Sequence, residues 1–196
     1  MWKTREPVTS DRGLTLSPTL TLEECPTLDV VVVPGGAGQV ALMDDAAVLD
    51  FLVKQAATAR YVASVCTGSL VLGAAGLLKG RRATCHWMAL DELALLGATP
   101  VAERIVIDGP IVTGGGVTAG IDFGLKLVAI LRGIAEAQRI QLEIEYNPEP
   151  PFHTGSPESA GPDLVASVRK RYGPFLKARH EATLSAKARL EGLPPR

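Results

Sequence analysis

The stretch that most constrains this chain runs from Tyr61 to Ala75. Tyr61-Val62-Ala63-Ser64-Val65 is an apolar, strand-forming run that climbs to Cys66. Thr67-Gly68 follows at once, and Ser69-Leu70-Val71-Leu72-Gly73-Ala74-Ala75 continues as a helix of small and aliphatic residues. Strand, tight turn and helix, with a cysteine at the tip, is the layout of a nucleophile elbow. The turn pushes the side chain out over the end of a sheet. It also aims the first backbone N–H groups of the helix at the sulfur, which favours the nucleophilic thiolate. Gly68, Gly73 and Ala74 let that helix lie close to the sheet. Cysteine is also among the most buried residue types, so a packed structural thiol is the competing reading. The turn chemistry around Cys66 favours function.

An elbow needs a buried sheet behind it, and the flanking sequence supplies one. Leu28-Asp29-Val30-Val31-Val32-Val33 is a continuous apolar run, typical of a parallel strand covered on both faces. It ends in Pro34-Gly35-Gly36-Ala37-Gly38, a loop whose backbone can approach a ligand or simply turn into a helix. Pro7–Ser10 and Leu14–Ser17 flank Asp11-Arg12-Gly13 as a hairpin. Asp44-Asp45 opens a helix that runs to about Ala59, and the Cys66 helix closes at Gly80. Arg82–His86 is extended, Trp87–Leu96 helical, Val101–Ile107 and Ile111–Thr113 strands. Thr118–Asp122 opens a helix to about Leu131, and a second helix covers about 135–146. Strands alternating with helices predict a three-layer α/β/α sandwich with a mostly parallel sheet. Residues 147–162, rich in Pro, Gly and Ser, read as a surface loop, and 163–190 as C-terminal helices.

Composition narrows the function classes. The 196 residues suit one α/β domain, 1–196. A net charge of −1 creates no general attraction for nucleic acid or an anionic membrane surface. No apolar run reaches the ~18 residues of a membrane span, and Met1–Pro7 has no apolar signal-peptide core. Three cysteines, Cys25, Cys66 and Cys85, without Cys-x-x-Cys spacing, fit a reducing cytoplasm and supply neither a metal site nor a disulfide framework.

Among the remaining chemical residues, His86 stands at the end of an extended piece and directly before a helix. Strand C-terminal ends gather at one sheet edge, so His86 is a candidate neighbour of Cys66. A neutral histidine that caps the helix is the equal alternative. Cys85 reads as packing, and His153 and His180 as surface residues. Asp122 reads as an acid stabilising a helix start, with a structural ion pair as the alternative.

Four segments occur in order: Pro34-Gly35-Gly36, Ser64-Val65-Cys66-Thr67-Gly68-Ser69, Ala83-Thr84-Cys85-His86-Trp87 and Thr113-Gly114-Gly115-Gly116-Val117-Thr118-Ala119-Gly120-Ile121-Asp122. In these the chain resembles the ThiJ/PfpI superfamily, of flavodoxin-like, class I glutamine amidotransferase-like fold. Within it the chain is most similar to the isonitrile (isocyanide) hydratase branch. The resemblance implies a lyase that hydrates an isonitrile to an N-substituted formamide through a thioimidate on Cys66. It implies catalytic roles for Cys66 and Thr67. It also implies substrate binding by Gly35, Gly36, Gly68, His86 and Val117, with the Gly36 backbone facing the substrate and Val117 packed beside the nucleophile helix. No cofactor or metal is implied, and the expected assembly is a cytoplasmic homodimer.

Superfamily members carry a strand and helix ahead of the point that matches Met1, with an acidic partner of the cysteine just after that strand. The expectation is therefore either a miscalled start or an N-terminally truncated domain, impaired in catalysis. The alternatives are a ligand-sensing domain related to AraC-type regulators and a redox or repair cysteine protein of the same superfamily.

Overall fold

The computed structural model describes residues 1–10 and 13–192. Strands β1 (Val8–Thr9) and β2 (Thr15–Leu16) pair antiparallel as the expected hairpin. Asp11 and Arg12 of its expected turn lie outside the described residues. β3 (Val30–Val33) leads through the glycine loop into a short helix, α1 (Gln39–Leu42), which the sequence reading did not anticipate. Helix α2 (Ala46–Ala56) starts at Asp45, whose carboxylate accepts from the Val48 N–H. Next come β4 (Tyr61–Val65) and α3 (Gly68–Ala74). α3 stops six residues short of Gly80, because the left-handed turn falls at Gly76 (φ 77°) and Gly76 N–H bonds back to Gly73.

β5 (Arg82–Ala83) is followed by a 3₁₀ turn (Trp87–Ala89) and α4 (Glu92–Leu95), where a single helix was expected. β6 (Thr99–Pro100) pairs with β5, and Val101 N–H bonds to the Ala83 carbonyl. That pairing claims the start of the expected 101–107 strand, so β7 covers only Ile105–Asp108. β8 (Ile111–Gly114) returns antiparallel to β7. The rest is helical: α5 (Ala119–Arg132), α6 (Ile134–Glu143), α7 (Pro157–Ala160), α8 (Pro162–Arg171) and α9 (Gly173–Gly192).

The central sheet has the order β3-β4-β8-β7, with β3, β4 and β8 parallel. Alternating side chains feed its two faces. Val31, Val33 and Val62 join the main core with Leu49 and Leu52 of α2 and Leu70, Val71 and Leu72 of α3. Ala63 and Val112 point to the other side, against Phe123 of α5. Helices on both faces make the flavodoxin-like three-layer sandwich. α9 lies across α1, α3 and α4. Its Arg189 donates to the carbonyls of Met43 (2.7 Å) and Ala74 (3.2 Å), at the C-terminal ends of α1 and α3, and pairs with Asp44 (2.5 Å). Among the described residues no helix is long and apolar enough to cross a membrane.

Candidate functional site

Cys66 stands at the C-terminal end of β4 with φ 58°, the left-handed region that a side chain enters only under constraint. Its N–H is shared between the carbonyls of Gly114 and Gly115 (2.9 Å each), at the end of β8. The sulfur-bearing residue is half-buried, and α3 leaves directly behind it. Under the turn lies a fully buried hydroxyl chain: Ser64 Oγ to Ser69 Oγ (2.8 Å), then Ser69 Oγ to the Thr84 carbonyl (2.7 Å). The Thr84 N–H donates to Thr113 Oγ1 (2.9 Å). These bonds tie β4, α3, the segment after β5 and β8 into one support, and each buried hydroxyl is satisfied. Small polar residues beside an elbow were the available sequence signal, but the pairing between them was not readable.

The Pro34–Gly36 loop lies directly against the elbow. A Cβ on Gly35 would sit 2.6 Å from Thr67 N and 2.8 Å from Cys66 Cβ, so only glycine fits. Thr67 is buried, and its hydroxyl accepts from the Gly36 N–H (3.1 Å) and donates to the Gly36 carbonyl (3.4 Å). The Gly36 N–H is bonded to Thr67, and the Thr67 hydroxyl fastens the glycine loop against the elbow. Gly68 is buried, and its Cα faces the Val33 and Pro34 carbonyls, the close packing of α3 on β3 that the sequence predicted.

A cavity of ≈ 560 Å³ opens on the other side of Gly115 and Gly116, lined by His86, Trp87, Arg104, Val117, Thr118 and Arg169 among others. Val117 is 76% exposed at its rim with φ 28°, so it is not the packed residue the sequence predicted. Its strain comes from the turn that joins β8 to α5. His86 caps the 3₁₀ turn, its Nδ1 accepting from the Met88 N–H (3.2 Å), and its ring stacks on Trp87 with centroids 5.9 Å apart. Burial first, and then the Arg179 cation, hold its pKa below the ordinary histidine value. The capping reading of His86 holds, and the residue also lines the cavity.

Cys85 is buried, and burial pushes its thiol pKa well up. His153 is exposed, and His180 pairs with Glu92 (3.0 Å). Asp122 takes both of its expected roles. It lies in the first turn of α5, accepts from Arg104 Nε (2.5 Å) and accepts from the Tyr146 hydroxyl (3.0 Å). Among the described residues no group of three His, Cys, Asp or Glu side chains is placed to hold a metal. Sequence reasoning missed Arg179, a buried cation on α9, because nothing in a mixed-charge helix marks which arginine turns inward.

The DJ-1/PfpI family profile matches residues 2–130. The chain is 58% identical over 190 residues to the isonitrile hydratase of Pseudomonas putida, covering 97% of this chain and 83% of that protein. It is 35% identical over 129 residues to the HTH-type transcriptional regulator CdhR of Pseudomonas aeruginosa, covering 65% of this chain and 38% of that one. Among solved structures, a ThiJ/PfpI family protein from Pseudomonas syringae superposes with a TM-score of 0.88 at 45% identity. That match covers 92% of this chain and 76% of that one.

Proposed function

The chain belongs to the DJ-1/PfpI family, and on that footing we propose that it is an isonitrile hydratase-like enzyme, adding water to an isonitrile to give an N-substituted formamide. The observation that carries this reading is the 58% identity to the Pseudomonas putida hydratase along 97% of the chain. The likeness to the regulator reaches only 65% of the chain, so the sensor alternative is not favoured.

In this reading the Cys66 thiolate forms an S–C bond to the terminal carbon of the isonitrile. A proton delivered to that carbon gives the thioimidate R–N=CH–S–Cys66. Water then adds to the same carbon, the C–S bond breaks, nitrogen takes up a proton, and the formamide leaves with the thiol regenerated. Covalent catalysis of this kind splits one difficult addition into two easier ones. The scheme balances with a thiol and water alone. Support comes from the left-handed backbone at Cys66 and the glycine loop clamped by Thr67.

We also place the protein in the cytoplasm as a homodimer. Exposed Ile121 of α5, Ile134 and Leu142 of α6, and Ile144 just after it offer an apolar surface for a second copy. The direct test of the activity is formamide production from an aryl isonitrile, with Cys66→Ala as the blank. Turnover by the parent chain and none by the variant is the expected result. Equal rates would overturn the reading.

A further inference from the structure

The proton on His86 is fixed by its surroundings. Because Nδ1 accepts from the Met88 N–H (3.2 Å), it carries a lone pair, and the ring proton is on Nε2. The other edge of the ring lies along Gly116: a Cβ there would stand 2.6 Å from Cδ2 and 3.3 Å from Nε2. Gly116 follows Gly115, whose carbonyl accepts from the Cys66 N–H. The Nε2 edge thus lies against Gly116, in the wall of the cavity that Gly115 also lines.

The same Met88 peptide holds a second side chain. Its carbonyl accepts from Arg179 Nη1 (3.4 Å), while its N–H holds His86. Arg179 is 4% exposed, its guanidinium lies over the Phe175 ring (4.7 Å), and its Nε has no partner. A buried guanidinium with an unused donor is costly, so its retention calls for an account beyond packing. Among the described residues no carboxylate bonds to it. Of its acidic neighbours, Glu92 is paired with His180.

We propose that Arg179 is a positioning residue that, through the Met88 peptide, holds His86 as a single neutral Nε2–H tautomer, so that the cavity lined by Gly115 and Gly116 presents a fixed hydrogen-bond donor to its ligand. The ligand class that fits is a small neutral molecule with an exposed acceptor. The carbon lone pair of an isonitrile and the oxygen of a formamide both qualify. Protonating His86 would set an Nδ1–H against the Met88 N–H and a second cation beside Arg179.

Other charged groups surround this pair. Asp91 and Glu92 approach from the start of α4, and Cys85 adjoins the ring. Arg169 of α8 lies over Trp87 (5.2 Å), and Glu103, Arg104 and Glu158 line the cavity. Burial and Arg179 are the two influences that move His86, and both disfavour the imidazolium.

Calling the ligand an isonitrile rests on the proposed reading above; the proton lock does not. The test is NMR of the full chain with ¹⁵N-labelled histidine. There are three histidines, so His153→Gln and His180→Gln assign the His86 signals. In the parent chain, His86 should keep an unprotonated Nδ1 and a protonated Nε2 as pH falls through the midpoint of an ordinary histidine (~6.5). Arg179→Met should mix the tautomers and move the midpoint up toward that value, and Arg179→Lys should restore the single form. An Nδ1–H signal or an ordinary midpoint in the parent chain would overturn the proposal. So would an Arg179→Met spectrum like the parent's, or a lysine variant that behaves as the methionine variant does. The spectra read no turnover, so failure of the lock and failure of isonitrile hydration are separate results.

Discussion

Gly68 and Val33 meet backbone to backbone: a Cβ on Gly68 would stand 2.8 Å from the Val33 carbonyl carbon and 2.9 Å from the Pro34 oxygen. The nucleophile helix is thereby pressed onto the end of β3 with no room for a side chain. Gly68→Ala should destabilise the fold by about 1–3 kcal/mol, the range for overpacking a filled interior. Urea unfolding checks this. Because α3 must lift to admit the methyl group, Cys66 alkylation should change rate in the same variant.

Cys66 should be labelled by iodoacetamide in the native chain and Cys85 should not. Cys85 is buried, its thiol donates to the His86 carbonyl (3.3 Å), and burial pushes its pKa up, so little thiolate is available there. Peptide mapping after brief labelling reads the ratio. Equal modification of the two would remove the distinction on which the elbow argument depends.

Val117→Gly should leave stability unchanged or raise it slightly. A β-branched residue at φ 28° carries strain of about 1–3 kcal/mol. Glycine removes that strain at a chain-entropy cost of about 0.4–1 kcal/mol. The side chain is exposed, so few contacts are lost. A fall in melting temperature would show that the rim valine is held by contacts rather than tolerated.

Stability should decline as pH drops below about 6.5, before the carboxylates titrate. The folded chain holds His86 below its ordinary value of 6.5, so the unfolded chain takes up this proton first on acidification. The contribution is complete above 6.5 and is lost as pH falls toward the depressed folded value. Asp45, lowered by its bond from Lys3, gives a separate loss below its ordinary 3.8. Urea midpoints across pH should show the first decline in the parent chain and lose it in His86→Gln.

Light scattering should return a dimer at micromolar concentration. Ile134→Lys with Leu142→Lys should convert it to monomer, since two charges would then face the apolar surface of α6. A parent chain that is already monomeric would sink the assembly.

Local signals carried most of the fold. The valine run of β3 was legible as a strand, but the expected cover on both faces was not found: β3 is the edge of the sheet and Val32 is 48% exposed. The elbow was legible because Thr67-Gly68 must turn. The break between the 3₁₀ turn and α4 was not, since 87–96 is continuous in helical character and only His86 capping Met88 sets its start. Gly80 offered the same left-handed option as Gly76, and tertiary closure chose between them. At the site, the residues near Cys66 in sequence were found, but their partners were not. Thr67 holding Gly36, Ser69 reaching Thr84 and Arg179 meeting Met88 are each contacts across elements, and no periodicity announces them.

Arg189 closes the ends of α1 and α3 together, and those helices follow the glycine loop and the cysteine turn. During synthesis both loops leave the ribosome long before this arginine does. The sheet can assemble co-translationally, yet the two helix ends lack their shared cation until α9 has emerged and docked. Setting of the cysteine turn thus waits on α9, and a nascent chain stalled before α9 has emerged should carry a formed sheet with an unset site.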